Sequence, residues 1–172
     1  MAVAQPSPSP GAGVLRMVDV AAAPIAGILE RYGMRRIDVP AGAPIPGSYW
    51  GDCEAGLITD ALYLRADTPL HSLLHELAHR VCMDPVRRAR LHTDAGGSDE
   101  EECAVCYLQL VLAETIPGVG RDRLLADMDA WGYSFREGGA AAWLAGDARE
   151  ARAWLYSRGL IDALGAPTWR LA

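Results

Sequence analysis

The sequence predicts an α+β fold, a small sheet packed against a helical body. Three observations carry that expectation. The chain has 172 residues, 51 % of them apolar and 22 % charged, the size and balance of one domain with its own core. Two short apolar runs, Leu57-Ile58 and Ala61 to Leu64, flank Thr59-Asp60 as strands flank a tight turn. From Pro69 onward the chain reads as a succession of helices separated by Gly and Pro.

Taken in order, residues 1–16 open with MAVAQPSPSPGAG, which has neither a basic start nor an apolar core and is no secretory signal. Rich in Pro, Ser and Gly, that stretch reads as a disordered leader, leaving residues 17–172 as a single domain. A helix is expected from Val18 to Tyr32, stopped by Gly33. Ile37 to Gly51 is Pro/Gly-rich and reads as one short strand followed by loop. The hairpin at 57–64 comes next. Thr68-Pro69 then opens a helix, with Pro at its first position, running to about Met83. Asp84-Pro85 begins a short helix reaching His92. After a loop containing Gly96-Gly97, Ser98 or Asp99 caps a long helix with an acidic first turn, ending near Ile116-Pro117-Gly118. Helices at Arg121–Trp131, Gly139–Leu144 and Asp147–Leu164 complete the chain. No internal repeat and no second domain is visible.

A net charge of −6 and a pI near 5.1 argue against nucleic acid or an anionic membrane as the main partner. No apolar run is long enough to span a bilayer. Four cysteines, Cys53, Cys82, Cys103 and Cys106, in a chain of this size and without a secretory signal, read as buried free thiols in the cytoplasm.

One motif carries chemistry. His75-Glu76-Leu77-Ala78-His79 is HExxH. On a helix, residues four apart stand one above the other, so both imidazoles can reach one ion. Glu76 lies to the side, where its carboxylate can meet a metal-bound water as general base. Zinc takes neutral imidazoles, keeps an open position and needs such a base. At about 100° per residue, Leu70, Leu73, Leu74, Leu77 and Val81 form one stripe, and His71, His75, His79 and Cys82 another. The first stripe is core; the second offers histidines to something else. A chance match on an amphipathic helix would not come with a separate histidine face.

The third ligand must come from elsewhere. A third histidine of the metzincin kind would stand at position 85, which is Pro85. The acidic turn Glu100–Glu102 offers a carboxylate instead. Ala104, Val105, Leu108, Val111, Leu112 and Thr115 make the expected buried stripe of that helix, and Glu101 continues it. Glu102 points roughly 100° further round, so Glu101 is the first choice and Glu102 the reserve. The plain alternative is that these acids only complement the helix dipole.

A hairpin, HELAH and then an acidic helix with Glu101, Ala104 and Tyr107 in a Glu-x-x-Ala pattern resembles the ImmA/IrrE group of zincin-like metallopeptidases. Val105 stands where that group carries Asn or Asp, a residue that helps orient a metal-binding histidine. The match covers about residues 56 to 113. The resemblance implies a zincin-like fold, zinc on His75, His79 and Glu101, Glu76 as catalytic base, and hydrolysis of an intracellular protein or peptide; the alternative is a zincin fold that keeps its metal and regulates or binds rather than cleaves.

Weaker signals remain. Cys103-Ala-Val-Cys106 is a CxxC that could join His75 and His79 in a closed Cys₂His₂ zinc site. The pair lies opposite Glu101 on its helix, so the two ligand sets exclude each other; packing is the plainer fate. His71 continues the histidine stripe and reads as a rim or supporting residue. His92 and Asp94 flank the loop before the acidic helix and read as surface. Tyr133 could donate a hydrogen bond to an oxyanion, although an aromatic after a helix is more often packing.

Overall fold

The computed structural model describes residues 13–172. The first twelve residues of the expected leader lie outside that range. Its last four do not behave as a leader: Val14 is buried, and the Leu15 carbonyl accepts from Leu70 N–H at 2.8 Å.

A 3-10 turn at Met17–Asp19 leads to α1 (Ala22–Arg31). The single helix expected from Val18 is thus broken near Val20 and Ala21, both extended, and Pro24 falls in the first turn of α1, where no N–H is missed. Gly33 takes φ 63 as the helix stop. Next come β1 (Arg35–Asp38), β2 (Gly56–Ile58) and β3 (Ala61–Leu64). They form one sheet in the order β1-β3-β2, with β1 parallel and β2 antiparallel to β3.

The helical body is α2 (Leu70–Cys82), α3 (Pro85–Ala89), α4 (Asp99–Ala113), α5 (Gly120–Trp131), α6 (Ala140–Gly146) and α7 (Ala148–Ser157). The α+β expectation therefore holds among the described residues: seven α-helices and one three-stranded mixed sheet. Pro69 sits one residue before α2, at its N-cap with ψ 140. The last helix ends well short of Leu164, because the chain turns back after Gly159 (φ 67) to bridge Ile161 with Pro167.

Helix α2 packs against β2 and β3 on one side and against α4 and α5 on the other. Leu70, Leu73, Leu74, Leu77 and Val81 are fully buried, as their stripe predicts, each leucine contributing about 1.5–3 kcal/mol. The histidine face is buried too; only Arg80 of α2 escapes full burial. At the helix end, Arg88 donates to the Met83 carbonyl at 2.6 Å, placing a cation at the negative pole of the helix dipole. Helix α4 lies between α2, α5 and α7 and is buried all round from Ala104 to Ala113. No helix among the described residues is long and apolar enough to cross a membrane.

Candidate metal centre

His75 and His79, one turn apart on α2, turn their Nε2 atoms toward each other at 3.0 Å. The rings meet edge to face, with centroids 4.6 Å apart. Glu102, from the first turn of α4, brings Oε2 to 3.6 Å from His79 Nε2. These three side chains are the group among the described residues whose ligand atoms converge closely enough to hold one metal ion. Two Zn–N bonds of about 2.0–2.1 Å at a tetrahedral angle place their nitrogens roughly 3.3 Å apart, so the donor set fits such an ion.

Glu101, the ligand expected from the sequence, is engaged elsewhere. Arg87 of α3 grips both its oxygens, at 2.9 and 2.8 Å. The same guanidinium donates to the carbonyls of Ala95 and Gly96, so this ion pair pins the loop between α3 and α4. The fit is close: a Cβ on Gly97 would come within 2.5 Å of the Glu101 carboxylate. Glu102, the reserve, is the carboxylate that reaches the imidazoles. Its Oε1 accepts from Gly97 N–H at 3.0 Å, which leaves Oε2 facing the histidines.

His75 is braced from behind. Its Nδ1 lies 2.9 Å from Gln109 Oε1, and the Gln109 amide nitrogen donates to the His71 carbonyl at 3.4 Å. Sequence reasoning missed Gln109. Its signal was the seven-residue interval from Glu102, nearly two helical turns, which puts both on one face of α4. Val105, where the resemblance wants a polar residue, is fully buried; the polar brace stands one turn further on. His79 Nδ1 has no protein partner and is buried. His71 supports rather than rims the site: it is fully buried, 3.3 Å from the Tyr133 hydroxyl and packed on Trp131. Tyr133 is buried behind His71 and His75.

Burial holds all three histidines neutral. It brings His75 down to about 4 against the opposing pull of Gln109, His71 to about 3 with help from His75, and His79 well below the ordinary range. Neutral imidazole is the form that binds metal. Glu76 is pushed up strongly, first by burial and then by the charges of Glu54 and Glu102. Glu54, also unforeseen, is buried and accepts from the Trp131 indole at 2.8 Å. A bound divalent cation would oppose this crowding of negative charge.

No family model, curated protein or solved structure matches the chain.

The site opens into a cleft of about 250 Å³ lined by His75, Glu76 and His79 at its base, Tyr49 and Trp50 on one side, and the loop from Thr93 to Gly97 on the other. Asp94 lines this cleft, whereas His92 is exposed and pairs with Thr93 at 2.8 Å. Cys103 and Cys106 do not join the cluster. Cys106 is fully buried and its thiol is pushed up well above the usual range by that burial, so packing accounts for it.

Proposed function

We propose that this chain is a zinc-dependent metallopeptidase that hydrolyses peptide bonds in an intracellular protein substrate. The observation that carries the reading is the convergence of two buried, neutral imidazoles and the Glu102 carboxylate beside Glu76, at the base of an open cleft. Three protein ligands with room for water are the pattern of a catalytic zinc site, and structural sites are closed by a fourth. The resemblance to the ImmA/IrrE group rests on the HExxH and the acidic helix; its Glu-x-x-Ala pattern runs from Glu101, whereas the carboxylate that reaches the imidazoles is the next one, Glu102. All four cysteines are free, which suits a reducing compartment.

Zinc held by His75, His79 and Glu102 would polarise a substrate carbonyl and acidify a water. Glu76, which lines the same cleft, would as an ionised carboxylate act as the general base toward that water and return the proton to the leaving amine. Gln109 fixes the His75 ring, and the Gly97 amide fixes the Glu102 carboxylate. The walls of the cleft limit which chain segments can approach.

Glu76→Gln keeps the side-chain shape and removes the base. It should retain about one zinc per chain by elemental analysis while losing peptide cleavage by about 10²–10⁴-fold. Cleavage is best followed on candidate partner proteins in cell extract and on unfolded casein. Undiminished cleavage by the variant would remove the enzymatic reading and leave a metal-binding protein.

A further inference from the structure

Two cavities flank the first turn of α4. One is the metal cleft; the other, about 740 Å³, lies between that turn and helices α6 and α7. Asp99 lines both, so the two meet at one side chain.

Their linings share a chemistry. The cleft carries the carboxylates of Glu76, Asp94, Asp99 and Glu102 and no Lys or Arg. Beyond Asp99 the wall adds Glu100, Glu137, Asp147 and Glu150 against two cations, Arg136 and Arg158. Arg136 bridges Glu137 and Asp147 and Arg158 lies over the Trp154 ring at 3.6 Å, so the wall, Asp99 included, sets five carboxylates against two cations. A divalent ion would neutralise part of the first cavity and none of the second. An entering peptide would therefore meet acidic side chains in excess of cations in both cavities, between low-dielectric walls.

The apolar component sits at the rim. Tyr49 and Trp50 are 58 % and 40 % exposed and meet edge to face at 5.2 Å. Their loop is bracketed by Gly47 (φ 74) and Gly51 (φ 82). Aromatic side chains are the usual anchors of recognition surfaces, and this pair stands exposed in the lining of a polar cleft. The second cavity repeats the combination, with Phe135 stacked on Trp143 beneath its acidic wall.

Resting on the metallopeptidase reading, we propose that the substrate segment is basic and apolar. It would present a bulky aromatic or aliphatic side chain to Tyr49 and Trp50, and Lys or Arg side chains to the carboxylates on either side of Asp99. The acidic track selects by charge complementarity, and the aromatic pair fixes register next to the metal.

The test uses full-length, zinc-loaded Glu76→Gln protein, so that binding is read without turnover. Short fluorescein-labelled peptides carrying Trp or Leu together with Lys and Arg are compared with versions in which the basic residues become Glu or the apolar ones Ser. The basic-apolar peptide should bind at least about tenfold more tightly than either control, and its affinity should fall with added salt. Glu100→Lys with Glu150→Lys, exposed positions whose side chains are outside the His75–His79–Glu102 group, should weaken it about fivefold, and Trp50→Ala should erase the difference between the apolar and Ser peptides. Equal affinities, or preference for the Glu-bearing peptide, would overturn the inference. Zinc content measured on the same samples tests the metal centre separately: zinc bound without peptide preference removes the substrate class and leaves the centre standing.

Discussion

Gln109 decides which nitrogen of His75 faces the cluster. Its amide nitrogen looks toward acceptors, the His71 carbonyl and the Tyr133 phenol, so its oxygen must face His75 and accept from Nδ1–H. His75 Nε2 is then a bare lone pair, the form a metal needs. Replacing Gln109 by Leu should lower metal affinity about 10–100-fold, the range for losing such a partner, while Gln109→Glu keeps an acceptor and should retain binding. Competition against a chelating dye gives the measurement; an unchanged constant for the Leu variant would mean the tautomer is set elsewhere. By the same method Glu102→Gln should cost more affinity than Glu101→Gln, since only Glu102 reaches the imidazoles. Residue-scale chemistry was half legible in the sequence. HExxH pointed to the two imidazoles that converge with Glu102. The choice between neighbouring acids turned on a side chain, Arg87, that the sequence places fourteen positions from Glu101 and that only the fold brings to it.

At the scale of elements, the legible parts were those whose ends carry their own local signals. The β2–β3 hairpin and α2 stood within a residue or two of their expected bounds because the Thr59-Asp60 turn and Thr68-Pro69 fixed their ends. Helix α4 misled in which of its faces meets the imidazoles. With α2, α5 and α7 around it, it has no solvent face beyond its first turn, so continuing a buried stripe did not single out Glu101. The outer edge of β2 was also unreadable, since loop residues cover it: Leu57 N–H donates to the Gly47 carbonyl at 3.1 Å, and Thr93 N–H donates to the Leu57 carbonyl at 3.0 Å. Gly56 makes that cover possible, because a Cβ there would lie 1.9 Å from the Pro46 carbonyl oxygen. Backbone cannot yield as a side-chain tip can. Gly56→Ala should therefore destabilise the protein by about 1–3 kcal/mol, the cost of overpacking, seen as a lower denaturant midpoint at unchanged slope. It should also raise the mobility of Tyr49 and Trp50, which follow the displaced segment. A midpoint equal to that of the parent would show that the 46–48 loop is not held against β2.

For the molecule as a whole, the question is whether the ion holds the fold or the fold holds the ion. Helix α2 is wedged between the sheet and α4, with its leucine face fully buried, and both ends are tied by the chain itself. The Leu15 carbonyl meets its first N–H, and Arg88 meets its last carbonyls and the Ala172 carbonyl oxygen. None of these contacts passes through the His75–His79–Glu102 cluster. A small zinc domain closed by thiolates behaves differently, because its metal-binding energy is its folding energy and chelation unfolds it. Here removal of the metal should leave a folded apoprotein with unchanged far-ultraviolet circular dichroism at room temperature. Stability should fall only by the linkage contribution, about 3–4 kcal/mol when free zinc stands at 100 to 1,000 times its dissociation constant. In a chain of this length that is a fall in Tm of roughly 5–15 °C, reversed by adding zinc. Scanning calorimetry before and after dialysis against a chelator distinguishes three outcomes. A moderate, reversible fall supports an open site built on a self-sufficient core. Complete unfolding would make the ion a structural staple, and no change at all would mean that the two imidazoles and Glu102 hold nothing.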